Sequence, residues 1–396
     1  MKRLFTMLMI TTLLLSIVLV GCTGKPSPGT ENQEQITIGE TTGGNTQNTQ
    51  DNGSDTNEAT IPEENTGDTS PETENGSEKK EDDNAGQREI DYEKIKPNES
   101  GKIMVVMFHR FIEEYTSGDK IYVTTFDEFR NLLQELYDKG YRLISMKDFL
   151  NNNINVPAGC VPIVFTFDDG TPGQFNLVEE DGKLTVNKQT AVGIMLDFYE
   201  KHPDFGLAGT FYVNLGGGTF EGGAGTLAEK LKYLIDLGFE IGNHTFSHVD
   251  LNTVKTAEEV QKELGANQKR MYELVPGYKM ETLSLPLGNT TKDKSLREYL
   301  VKGVYDGVEY HNQAIMLVGA NPTLPPTSSE YNPLYTARVR ASGIQKEDFD
   351  LSWWLENISR SQEYVSDGNP DTITVPKDKE ESIDKSRVGD KKVITY

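Results

Sequence analysis

Cysteine is nearly missing from this chain. The 396 residues include two, Cys22 and Cys160, which excludes a scaffold stapled by several disulfides. Basic charge is short as well. Lys and Arg number 39 against 62 Asp and Glu, a formal net charge of −23. That balance argues against nucleic acid or an anionic lipid surface as a ligand. Histidine is scarce, five in all, so two of them close together carry information. Tryptophan appears twice, at Trp353 and Trp354. Long apolar runs are also rare. Residues 4–20 form one uncharged stretch, and it follows a basic start at Lys2 and Arg3.

A charged start, an apolar centre and a small residue at a cut site describe an export signal rather than a structural helix. The string Leu19-Val20-Gly21-Cys22 resembles the bacterial lipobox. That resemblance implies cleavage after residue 21 and lipid attachment to Cys22. The expectation is an extracytoplasmic protein, lipid-anchored to the bacterial cell membrane and monomeric. An uncleaved anchor helix is the other reading of the run, which is short for a span. Cys160 would then have no partner in the mature chain, so the domain must rely on its own core.

Residues 22–100 are rich in Gly, Asn, Thr, Glu and Asp and show no apolar periodicity. Such a segment cannot bury enough surface to offset its ordering entropy. It reads as a disordered acidic tether that holds much of the net charge. Residues 101–396 are long enough for one large domain. Apolar strand-like runs lie near 102–108, 143–146, 161–167, 210–214, 239–242, 282–287, 314–318 and 336–339. Helical patterns separate them at 125–139, 189–201, 226–237 and from 256 toward 274, two of them opening on Thr-x-x-Glu capping boxes at Thr125 and Thr256. The alternation predicts a parallel α/β sheet, and about eight units suggest a barrel. An open doubly wound sheet is the alternative. In both, catalytic residues gather at the carboxyl ends of strands.

Two runs sit at such ends. TFDDG spans residues 166–170 and NHTFSH spans 243–248. Asp-Asp-Gly after a strand is ordinary turn chemistry. Adjacent aspartates on a turn point differently, however, so one can bind a metal while the other holds a water. His244 and His248 are spaced to share one face of a tight turn or loop. A carboxylate and two imidazoles make a divalent-metal site, with Zn2+ the expected ion and Co2+ or Ni2+ also fitting. The remaining carboxylate completes a kit for metal-assisted hydrolysis.

Together these runs resemble the polysaccharide deacetylase family, which carries the NodB homology domain. The resemblance extends over residues 102–375 and takes in TFYV at 210–213 and GYRLI at 140–144. It implies a distorted (β/α) barrel of seven to eight strands. It also implies removal of N-acetyl groups from a polymer of N-acetylhexosamine, a cell-surface or extracellular polysaccharide. Carried over residue by residue, Asp168 is the general base, and Asp169, His244 and His248 are the metal ligands.

The third family motif, Arg-Pro-Pro-Tyr-Gly, is met here by Ser284-Leu-Pro-Leu-Gly288. Ser284 stands where the base-orienting arginine would be, and Leu287 where the tyrosine would be. The late Leu-x-His motif has no counterpart after Trp354. Met107-Phe-His-Arg110 resembles the Tyr-His-x-Ile start of the poly-N-acetylglucosamine deacetylase branch, which implies His109 as the general acid. His311 is the next candidate, and His202 reads as a loop residue. Leu287, Arg338 and Arg340 are candidates for oxyanion or substrate contacts, and either arginine is a candidate replacement for the missing one. Trp353 and Trp354 read as barrel core, and residues 216–225 as a mobile glycine-rich loop near the site. Two other readings remain: a glycan-binding lipoprotein with little turnover, and an esterase removing O-acetyl groups.

Overall fold

The computed structural model describes residues 90–116, 121–341 and 346–396. The signal segment, Cys22 and nearly all of the tether lie outside the described residues. Eight parallel strands form one sheet: β1 Met104–Phe108, β2 Tyr141–Ile144, β3 Val161–Asp168, β4 Thr210–Val213, β5 Glu240–Asn243, β6 Thr282–Ser284, β7 Ala314–Met316 and β8 Val339–Arg340. Their order is β7-β6-β5-β4-β3-β1-β8. β3 is the hub. It pairs with β1 on one side, and on the other with β2 along its first half and β4 along its second.

The last strand closes the sheet. Thr336 bridges Met316 at the end of β7, and Val339 pairs with Val106 of β1. One short segment therefore touches both edges, and the sheet curls into a distorted (β/α) barrel. A parallel barrel is covered on both faces, which is why its strands read as continuous apolar runs. Every residue of β1 and of β3 is buried.

Side chains alternate across these strands. Val106, Phe108, Ile163, Phe165, Phe167 and Phe211 face outward into a core shared with the helices. Val105, Val164 and Tyr212 face inward with Ala314 and Met316. Continuing the inward parity along β3 leads to Thr166 and then Asp168, at the carboxyl end of the barrel.

The four longest helices among the described residues pack outside: α1 Phe126–Asp138, α2 Ala191–Lys201, α3 Leu227–Asp236 and α4 Ala257–Leu274. Capping boxes open three of them, at Thr125/Glu128, Thr226/Glu229 and Thr256/Glu259. In α1, Phe126, Phe129, Leu133 and Leu136 are the buried stripe. Trp354 belongs to the outer core and donates its indole N–H to the Ala320 carbonyl at 2.9 Å.

Some boundaries differ from the sequence reading. The strand expected at 143–146 lies at Tyr141–Ile144, because Ser145 caps a short helix, Met146–Leu150. The run at 282–287 stops at Ser284. Pro286 has no N–H for a ladder, and Pro286–Gly288 forms a 3₁₀ turn instead. Two β-hairpins interrupt the alternation, Leu177–Glu180 with Lys183–Val186 and Lys302–Tyr305 with Val308–His311. Each turns on Asp-Gly, at Asp181-Gly182 and Asp306-Gly307, with both residues at positive φ.

Asn98 and Glu99 are buried against the C-terminal segment. Glu99 accepts from the Asp367 and Thr374 backbone N–H groups at 3.2 and 2.8 Å. Among the described residues no helix is long and apolar enough to cross a membrane.

Candidate metal centre and catalytic cavity

Asp169 follows the last residue of β3 in a left-handed conformation, φ +79, and Gly170 continues the turn at φ +66. The turn sends Asp169 away from Asp168, toward the loop after β5. There His244 Nε2 and His248 Nε2 each stand 3.4 Å from Asp169 Oδ1. These three residues are the cluster among the described residues whose donor atoms converge as metal ligands do.

Two observations test the fit to an ion. Asp169 Oδ1 is buried with no hydrogen-bond partner, although it faces both imidazoles. His244 Nδ1 lies 2.8 Å from the Ser284 carbonyl, which only accepts. The proton is therefore on Nδ1, and the Nε2 lone pair points at the cluster. An oxygen and two such nitrogens suit a divalent metal.

Asp168 is buried beside this cluster at 1% exposure. Arg338, at 0% exposure, grips it with two parallel bonds, Nη1 to Oδ1 and Nη2 to Oδ2, both 2.8 Å. The arginine itself is fully engaged. Nη1 also reaches Thr166 Oγ1 at 3.1 Å, Nη2 reaches Ser284 Oγ at 2.9 Å, and Nε donates to the Leu317 carbonyl at 2.7 Å. Ser284 adds a bond of its own to Asp168 Oδ2 at 3.0 Å. Burial pushes the Asp168 carboxyl up, but the charge of Arg338 and its hydrogen bonds outweigh it, and the group is held at about 2.

His109 ends the inward face of the first strand. Its Nε2 is 3.9 Å from Asp168 Oδ2, and its Nδ1 is buried without a partner. The Tyr122 ring packs on the imidazole at 4.7 Å between centroids. Burial lowers the His109 imidazole below its ordinary range more than the Asp168 and Asp169 charges raise it.

These groups share a cavity of about 630 Å³ whose wall includes His109, Tyr122, Asp168, Asp169, His244 and His248. Leu287 and Val318 form an apolar part of the wall, with Leu287 64% exposed at φ +56. Arg338 lies beneath Asp168 rather than on this wall. Arg340 is turned away, pairing with Glu347 at 2.6 Å and stacking over Tyr122 at 5.5 Å. His311 is on a hairpin outside the cavity, and His202 packs between Tyr137 and Phe198. The glycine-rich segment after β4 is tied down: the buried Lys230 donates to the Phe220 and Gly222 carbonyls.

Sequence reasoning did not find the buried amides behind the histidine loop, Asn214, Asn243 and Asn267. A signal was present. Asn267 and Gln268 interrupt the apolar stripe Val260, Leu264, Met271 of α4, and a buried polar residue needs partners.

Comparison with solved structures finds similarity to the Streptococcus pyogenes deacetylase PplD in complex with acetate. Identity is 16% over 66% of this chain and 99% of that one, with a TM-score of 0.48. A polysaccharide deacetylase from Bacillus cereus is 18% identical over 65% and 69%, with a TM-score of 0.47. IcaB from Ammonifex degensii is 18% identical over 62% and 94%, with a TM-score of 0.41. No curated protein matches the chain. Among family models, the one described as polysaccharide deacetylase matches residues 155–303, a span that holds TFDDG, NHTFSH and the Ser284 turn. That match covers the segment carrying both motifs, and it is to this segment that the likeness to the polysaccharide deacetylase family extends.

Proposed function

We propose that this protein is a metal-dependent hydrolase that removes N-acetyl groups from an N-acetylhexosamine polysaccharide outside the cell. The observation that carries the reading is a buried carboxylate, Asp168, clamped by Arg338 directly beside the Asp169–His244–His248 cluster.

Asp169, His244 and His248 would hold the ion, with Zn2+ the expected metal. Bound there, a divalent ion supplies a Lewis acid for the acetyl oxygen and lowers the pKa of a water. The chain's own residues do the rest. Asp168 accepts the proton of the attacking water, and its two bonds to Arg338 fix the direction of the carboxylate. The water oxygen bonds to the acetyl carbon and the C–N bond breaks. His109 hands the leaving nitrogen its proton, giving acetate and a free amine. Leu287 and Val318 offer an apolar wall to the substrate.

The depressed His109 imidazole favours a second reading, an O-acetyl esterase. An alkoxide needs less from an acid whose protonated form burial disfavours. The saturated set of contacts on Asp168 supports turnover over a binding-only role, because Arg338 supplies the guanidinium that Ser284 does not. The test is acetate release by the zinc-loaded protein from chitooligosaccharides, poly-N-acetylglucosamine and peptidoglycan, beside O-acetylated polysaccharide. Release from an N-acetylated glycan that disappears in Asp168→Asn supports the leading reading. No release from any of the N-acetylated glycans sinks it. The anchor is proposed from the sequence around Cys22, and labelled fatty acid should enter the wild type but not Cys22→Ala.

A further inference from the structure

Two of the three ligand atoms sit on one loop, and that loop is strained. Thr245 at φ +63 and His248 at φ +56 both occupy the left-handed region without being glycine. Each such residue is disfavoured by itself, because its Cβ crowds the neighbouring carbonyl oxygen. Something outside the loop must impose its path.

The helix α4, which carries no ligand, provides much of that constraint. Glu263 and Asn267 are four residues apart, so they share one face of it. The Glu263 carbonyl accepts from Phe246 N–H at 2.9 Å. Its carboxylate accepts from Ser247 N–H at 3.0 Å and from the Ser247 hydroxyl at 2.9 Å. Asn267 is fully buried and fully used. Its Nδ2 donates to the Val213 carbonyl at 2.8 Å and to Asn243 Oδ1 at 3.0 Å, while its Oδ1 accepts from Leu215 N–H at 2.8 Å. Asn243 Oδ1 in turn accepts from Thr245 N–H at 2.9 Å, and Asn243 Nδ2 donates to the Leu264 carbonyl of α4 at 3.0 Å. Asn214 closes the set by donating to the Thr245 carbonyl at 3.1 Å. Three of the loop's residues, Thr245, Phe246 and Ser247, are thus fixed between the two histidines.

We propose that Glu263 and Asn267 are positioning residues that set the affinity of the Asp169–His244–His248 cluster for its ion. The inference rests on reading that cluster as a metal centre. An unconstrained loop would have to pay the left-handed strain on binding; a constrained one has met it on folding. Groups behind metal ligands commonly control affinity by roughly 10–100-fold.

The test is zinc affinity of the chelator-stripped full chain, measured by competition with a chromophoric chelator, together with the melting temperature of the stripped protein. Glu263→Ala is expected to raise the zinc Kd roughly tenfold or more. Its stripped form should melt close to the wild type, because Glu263 is half-buried at the surface of α4. Glu263→Gln keeps an acceptor for Ser247 and should bind within about threefold of the wild type. Asn267→Leu should raise the Kd by a similar factor to Glu263→Ala; if it does not fold, the Glu263 pair decides. Wild-type affinity in Glu263→Ala overturns the proposal while leaving the metal centre standing. A wild-type chain that takes up no zinc overturns both.

Discussion

Removing Arg338 should leave a buried charge unpaired and destabilise the fold. The guanidinium and the Asp168 carboxylate are 0% and 1% exposed and joined by two bonds of 2.8 Å. Replacing the arginine by methionine keeps most of the volume. It leaves the carboxylate buried without its countercharge, and Thr166, Ser284 and the Leu317 carbonyl each lose a donor. Breaking a buried pair from one side costs about 3–5 kcal/mol. The acid side of the same pair gives a somewhat smaller figure of the same order. Asp168 falls from an ordinary 3.8 to about 2, and a drop of that size corresponds to about 2.5 kcal/mol. Because the folded value is depressed, this stabilisation is complete above pH 3.8 and is lost as pH falls through about 2.

The pair also makes a thermodynamic cycle. Asp168→Asn alone strands a buried guanidinium and should cost a similar 3–5 kcal/mol. The double variant Asp168→Asn/Arg338→Met buries neither charge and should cost clearly less than the sum, by about 2 kcal/mol or more. Urea denaturation of chelator-stripped protein near pH 7 measures all four corners without interference from a bound ion. Singles that add to within about 0.5 kcal/mol in the double variant would refute the claim that Arg338 acts chiefly on Asp168.

His109→Ala should lower turnover of N-acetyl substrates by roughly 10² or more and affect O-acetyl substrates less; equal losses on both would remove the acid role. Far from the site, burial pushes the Glu99 carboxyl up from 4.5 to about 8, with the Asp367 charge adding to it. A raised folded value means that the unfolded chain releases this proton first. Stability should therefore fall as pH rises from about 4.5 to about 8, by up to about 5 kcal/mol from this group. Glu99→Gln should flatten that decline in denaturant midpoints measured at pH 5 and pH 8, and an unchanged slope would assign the decline to other groups.

What was readable in the sequence follows from how local each feature is. β3 announces itself because all eight of its residues are buried, and its motif follows from strand parity and a turn. The capping boxes are readable for the same reason, since each joins residues three apart. The two hairpins were equally local, marked by Asp181-Gly182 and Asp306-Gly307, but their short strands do not stand out from the β/α alternation around them. Barrel closure is not local. It depends on one segment, around Thr336 and Val339, meeting both Met316 and Val106. The length of β8, two residues, gives no periodicity to read.

That non-local closure is also why the sequence offers both Arg338 and Arg340 as replacements for the missing arginine of the third motif without deciding between them. The motif position is Ser284, on β6, and Arg338 lies just before β8. The two meet because closing the barrel brings the chain around residue 338 over the end of β6, where Nη2 reaches Ser284 Oγ at 2.9 Å. A small side chain at 284 leaves room for the guanidinium to enter from the other side and still reach Asp168. Arg340 has the same parity as Arg338 and the same chemistry, but it lies two residues further along, beyond the carboxylate, and finds Glu347 instead. What the buried Asp168 carboxylate requires is a bidentate cation at one point in space. Which strand delivers it is decided by how the sheet closes, so a departure from the motif at Ser284 does not by itself mean a departure in the site.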